Sequence, residues 1–106
     1  MKKIAIIIIA LFPLFALSQN VKCEGTIKDT NGAPLEMANV IAFKKGTNFL
    51  QSYSITDNKG NYKLSLEDGE AYTFKISYLG YNTKNAEISV NVKSPDITHN
   101  FILDEA

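Results

Sequence analysis

The chain has 106 residues, with eleven lysines and no arginine against eleven acidic side chains, a formal charge of zero, and one cysteine. That length holds one small domain, and a lone cysteine excludes an internal disulfide framework. Without arginine the bidentate grip on phosphate or guanine is missing, so nucleic acid is not an expected partner, and the fold must be held by a packed apolar core.

Taken in chain order, Lys2 and Lys3 form a positive start, Ile4 to Leu17 is apolar and uncharged, and Ala16-Leu17-Ser18 supplies small residues. This is the pattern of a cleavable export signal over residues 1–18, with cleavage before Gln19. A spanning helix needs about 20 apolar residues, and this run is shorter and broken by Pro13. The expected mature domain is therefore 19–106, exported. Losing Lys2 and Lys3 leaves nine lysines against eleven acids. Cys23 sits behind Asn20-Val21-Lys22, a context unsuited to lipidation, and reads as a small buried hydrophobe.

From Val21 onward the pattern has a period of two. Val21, Cys23, Gly25 and Ile27 share one side of a first strand, and a turn follows at Asp29-Thr30-Asn31-Gly32. A second strand is expected over about Met37 to Lys44 and a third over about Phe49 to Thr56, separated by Lys45-Gly46-Thr47-Asn48. Asp57-Asn58-Lys59-Gly60 is the clearest hairpin turn: Asp accepts backbone hydrogen bonds and Gly takes a positive φ. The fourth strand places Tyr62, Leu64 and Leu66 on one face. After Glu67-Asp68-Gly69-Glu70, the fifth alternates Tyr72, Phe74, Ile76 and Tyr78 against polar residues. Leu79-Gly80-Tyr81-Asn82 breaks it. The sixth carries Ala86, Ile88, Val90 and Val92; after Ser94-Pro95-Asp96 the seventh carries Ile97, Phe101 and Leu103. Seven short strands joined by Gly, Asn, Asp and Pro turns predict an all-β, seven-stranded antiparallel sandwich with one apolar face per sheet.

Three stretches carry a resemblance. Asp29-Thr30-Asn31-Gly32-Ala33-Pro34-Leu35-Glu36-Met37-Ala38-Asn39-Val40 fits D-x-x-G-x-P-L-x-x-A-N-V. Thr56-Asp57-Asn58-Lys59-Gly60-Asn61-Tyr62 fits T-D-x-x-G-x-Y, and Tyr78-Leu79-Gly80-Tyr81 fits an aromatic-x-G-aromatic close. In this order and spacing the chain resembles the carboxypeptidase regulatory-like domain from about Val21 to Leu103, which implies a transthyretin-like (prealbumin-like) sandwich. The residues carrying the likeness, Asp29, Gly32, Pro34, Asp57, Gly60 and Gly80, read as structural. Pro34 suits the start of a strand, Ala38 and Val40 pack inward, and Gly80 permits a bulge or tight bend where Tyr78 and Tyr81 need to point differently.

The resemblance implies two settings. One is a domain that assists a metallocarboxypeptidase; the other is the periplasmic N-terminal domain of TonB-dependent outer-membrane receptors. The leader followed at once by this domain fits the second. A receptor also needs a barrel of at least about eight strands, which this length cannot supply. The chain is thus expected to be a free-standing module or the front of a longer receptor.

No catalytic set is legible. His99 is the only histidine, so a zinc site of two His and a Glu cannot be built, and His99 reads as a satisfied rim residue. No Cys-His pair, nucleophile elbow or phosphate loop is present. The Asp57 turn lacks the alternating acids and terminal Glu of a calcium loop. The expectation is a non-catalytic exported module, without cofactor or metal, that binds a protein partner at the outer membrane, for instance through a free sheet edge. Two alternatives stand beside it. One is a regulatory domain for a separate metallocarboxypeptidase. The other is a carbohydrate-binding module using exposed aromatics among Tyr53, Tyr72, Tyr78 and Tyr81, with Tyr53 and Tyr81 the preferred contacts.

Overall fold

A computed structural model describes residues 20–93 and 95–106; the leader 1–18 and its cleavage point lie outside the described residues. Alternation becomes structure in eight strands: β1 (Asn20–Asp29), β2 (Asn39–Lys44), β3 (Leu50–Ile55), β4 (Asn61–Glu67), β5 (Ala71–Ser77), β6 (Lys84–Ser89), β7 (Ile97–Thr98) and β8 (Phe101–Leu103). They form two four-stranded sheets. In the first, β1 is central, with β4 antiparallel on one side and β7 and β8 on the other. The second runs β3-β2-β5-β6, antiparallel throughout.

The inward residues of both sheets make one core. Val21, Cys23 and Ile27 of β1 meet Tyr62, Leu64 and Leu66 of β4 and Leu103 of β8; Val40 and Ala42 of β2 and Tyr72, Phe74 and Ile76 of β5 come from the other layer. Each large side chain removed from water contributes about 1.5–3 kcal/mol, which is what a chain without disulfides has available to offset its ordering entropy. Cys23 is fully buried within β1, as its reading as a small hydrophobe requires.

The sandwich is observed, and four details inside it differ from expectation. The last strand is two short ones, making eight, and both run parallel to β1 with the same offset: Cys23 faces Ile97 and Ile27 faces Phe101. Two-residue periodicity says which side chains face inward and nothing about strand direction. Second, β2 begins at Asn39, so Pro34 precedes it by several residues and instead bridges Lys28 at the end of β1. Met37, with a positive φ of 72°, helps explain the later start of β2. Third, β6 stops at Ser89; Val90 stays buried but Val92 is exposed. Fourth, Gly80 makes a turn at φ +87° that brings Tyr78 and Tyr81 together, ring centroids 5.3 Å apart.

Candidate functional site

The two Asp-x-x-Gly stretches fold into the same device. Asp29 Oδ1 accepts from the amides of Asn31 and Ala33 at 2.8 and 2.9 Å, and Asp57 Oδ1 accepts from Lys59 and Asn61, both at 2.9 Å. In each, the glycine amide donates to the aspartate carbonyl while the aspartate amide donates to the carbonyl four residues on. Gly32 and Gly60 take φ of +86° and +76°, open to glycine at little cost. The backbone amides of Asn61 and Lys59 hold the Asp57 carboxyl below the usual aspartate range.

The motifs are stapled to each other. Thr56 Oγ1 donates to the Leu35 carbonyl at 2.6 Å and accepts from the Ala38 amide at 2.8 Å, and the Thr56 amide donates to the Ala38 carbonyl. The T-D-x-x-G stretch thus closes the P-L-x-x-A stretch. Gly60 lies between β1 and the same segment, since a Cβ there would come within 2.6 Å of the Ile27 carbonyl oxygen and 3.1 Å of Pro34 Cβ. The motif residues Asp29, Gly32, Pro34, Asp57 and Gly60 therefore all take part in the turns or in the packing between them. Gly80 works apart from them, where the Ala106 amide donates to its carbonyl.

A second cluster lies at the break between β7 and β8. The Tyr62 hydroxyl donates to the His99 carbonyl at 2.6 Å and lies 3.8 Å from Cys23 Sγ. The His99 amide donates to the Glu24 carbonyl, and Asn100 Oδ1 takes the Thr26 amide at 2.9 Å in place of the missing ladder bond. All of this depends on Gly25, because a Cβ there would sit 1.8 Å from the His99 carbonyl oxygen. Burial first, and the nearby Cys23 second, push the Tyr62 phenol far above its ordinary range; burial likewise pushes the Cys23 thiol up. Two-residue alternation makes Gly25 only one inward residue of a strand. A glycine inside a strand pattern marks a close backbone approach, and that signal was available. His99 itself is half-buried, its ring stacked on Phe101, in keeping with a rim residue.

On the surface, an open cleft of about 610 Å³ runs over the outer side of the first sheet, lined by Glu24, Ser54, Asp57, Asn61, Lys63 and Asn100 among others. It is polar, and the aromatic ring at it, Tyr62, is buried. Among the described residues, no three His, Cys, Asp or Glu side chains converge to hold a metal ion. The aromatics proposed as sugar contacts do not form a platform. Tyr72 is fully buried, its hydroxyl accepting from the Glu67 amide at 2.8 Å, and Tyr78 is half-buried against the core. Tyr53 is exposed on β3, beside β4. Tyr81 pairs with Glu105 beyond β8, on the opposite flank. Partial burial, then the Glu105 and Asp29 carboxylates, push the Tyr81 phenol up.

With this geometry in hand, the comparisons agree with it. Along 99% of its length the chain is 34% identical to the TonB-dependent receptor SusC of Bacteroides thetaiotaomicron, of which it spans only 10%. In shape it is similar to the TIE protein of Bacillus anthracis (TM-score 0.68, 22% identity, covering 82% of this chain and 17% of that one). It is also similar to chlorocatechol 1,2-dioxygenase of Pseudomonas putida (TM-score 0.67, 11% identity, 83% and 61%) and to catechol 1,2-dioxygenase of Pseudomonas arvilla C-1 (TM-score 0.64, 16% identity, 87% and 54%). At those identities the likeness concerns the fold alone. The carboxypeptidase regulatory-like domain family matches residues 23–104, from the buried Cys23 to the residue after β8, and the chain belongs to that family.

Proposed function

We propose that this chain is a non-catalytic, exported accessory domain of the kind carried by TonB-dependent outer-membrane receptors, working in the periplasm against a protein partner at the outer membrane. The observation that carries the reading is the similarity to SusC along nearly the whole chain, although the chain spans a tenth of that receptor. Two further features support it. The motif residues are used up in turns and staples, which leaves them no substrate to hold. The charged residues of the polar cleft offer no nucleophile poised against a base. A dioxygenase-like fold brings no chemistry with it, since function resides in sites and not in folds.

The test is export and capture. Expressed with its own leader in a Gram-negative host, the chain is expected in the periplasm with a mature N-terminus at Gln19, read by mass spectrometry. In-cell cross-linking is expected to join it to an outer-membrane protein. Retention in the cytoplasm, or cross-linking to no envelope protein, would refute the proposal.

A further inference from the structure

Two sheets have four edges, and three of these are guarded. Along β4 the amides of Asn61, Lys63, Ser65 and Glu67 face away from β1, and each donates to a side-chain oxygen. The acceptors are Asp57 Oδ1 at 2.9 Å, Ser54 Oγ at 3.3 Å, Ser52 Oγ at 3.1 Å and the Tyr72 hydroxyl at 2.8 Å. On the β8 side, the Ile102 carbonyl accepts from Lys84 Nζ at 3.0 Å and the Asp104 carbonyl from the Asn82 amide. β6 carries Lys84 and Glu87, the latter paired with Lys45 at 3.2 Å, and charge is a usual defence of an edge. β3 is the exception. The Thr56 amide donates to the Ala38 carbonyl, and that phase of the ladder turns the backbone groups of Ser52 and Ser54 toward β2 and those of Tyr53 and Ile55 away from it. The outward groups of Tyr53 and Ile55 have no partner among the described residues, and β3 carries neither charge nor proline.

A groove runs beside this open edge. The polar cleft of about 610 Å³ has Ser54 and Ile55 of β3 on one side and Glu24, Asn61 and Lys63 of the first sheet on the other. A second cleft of about 360 Å³ shares Lys63 with it and extends to Ser52, Ser65 and Lys22. Charge along the groove is divided. Glu24 and Asp57 lie at the Ser54 end, Lys22 at the Ser52 end, and Lys63 between them. Among the described residues neither Lys22 nor Lys63 forms an ion pair. A row of outward amides and carbonyls is satisfied by the matching row of another extended backbone. Side chains of an added strand alternate. One set stands beside Tyr53 and Ile55, which are 64% and 50% exposed and apolar. The other set stands beside Ser52 and Ser54 and points into the groove, where it meets lysines at one end and carboxylates at the other.

We propose that the β3 edge and its groove capture an extended segment of a partner protein. The segment adds antiparallel to β3, sets apolar side chains beside Tyr53 and Ile55, and places a carboxylate near Lys22 and Lys63 and, two residues earlier, an ammonium near Glu24 and Asp57. This deepens the accessory role proposed above and rests on it only for where the partner resides. The probe is a blocked heptapeptide, threonine-valine-lysine-valine-glutamate-valine-threonine, titrated into the folded chain to about 5 mM. It is expected to move the amide resonances of β3, Lys22 and Lys63, and to slow hydrogen exchange at the Tyr53 and Ile55 amides at least about threefold. The same peptide with threonine at both charged positions is expected to bind at least about threefold more weakly. Tyr53→Pro removes an outward donor and spares the β2 ladder, as edge strands tolerate, and is expected to abolish binding with unchanged circular dichroism. Lys22→Glu, at an exposed side chain, is expected to weaken binding about fivefold. Binding by a chain that cross-links to no envelope protein leaves this site standing and removes only the partner's location. No movement up to about 5 mM, movement confined to β6, binding indifferent to Tyr53→Pro and Lys22→Glu, or pairing of two copies through β3 in place of the peptide would each overturn the assignment.

Discussion

At Gly25 one missing methyl decides a local path. The His99 carbonyl oxygen occupies the place where a Cβ would stand, 1.8 Å away, and it is there to receive the Tyr62 hydroxyl. Neither backbone can yield without breaking the β1 ladder on one side or the other. Gly25→Ala is expected to cost about 3 kcal/mol in denaturant unfolding, at the upper end of overpacking. Tyr62→Phe, which only strips the donor from the His99 carbonyl, is expected to cost about 1–2 kcal/mol. The same cluster sets an alkaline limit. Cys23 and Tyr62 stay neutral when folded, above their ordinary values of 9.0 and 10.0. Unfolded, they ionise at those values. Their contribution is complete below about pH 9 and is lost as pH rises toward the higher folded values. Thermal melts between pH 7 and 11 should show this decline, and a thiol reagent at pH 8 should modify Cys23 no faster than the protein opens.

At the level of elements, hairpin turns and one threonine tie strands that are distant in sequence. Thr56 is buried and makes both of its side-chain bonds to the backbone of the segment leading into β2. Thr56→Val keeps the shape and leaves the Leu35 carbonyl and the Ala38 amide without that partner. The expected loss is about 2–3 kcal/mol, with Thr56→Ser recovering most of it. The Asp57 turn predicts an acid limb. Its folded carboxyl titrates below 3.8, so its contribution is present above that value and is lost as pH falls through the lower one. In Asp57→Asn the side-chain oxygen still accepts, but it cannot be protonated in this range. The variant's stability, measured from pH 5 to pH 2 by circular dichroism, is therefore expected to fall less steeply than that of the unmodified chain.

For the molecule as a whole, closure depends on the final residues. β7 and β8 cover one side of β1 and deliver Leu103 to the core. Removing residues 96–106 uncovers Cys23 and Ile27 and opens the ladder along β1. Such a truncation is expected to lose cooperative unfolding, measured by calorimetry, because a domain this small has little core to spare. Termination after Leu103 spares that pairing and the Leu103 side chain, and removes the Tyr81–Glu105 bridge and the Ala106 bond to Gly80. It is expected to keep the fold at a lower melting temperature.

Which faces are dry, where the chain turns and which family it belongs to can be read from the order of residues alone. Side chains alternate across a strand whatever its neighbours, and Asp and Gly act within four residues of themselves. The inward run Tyr72, Phe74 and Ile76 and the two Asp turns were legible for that reason. Strand direction, strand partners and the surface left bare are different. The parallel seat of β7 and β8 beside β1, the need for glycine at position 25 and the exposure of Tyr53 all arise between residues far apart in the chain. They depend on packing in three dimensions, because a period of two is unchanged when a strand reverses direction or changes neighbours.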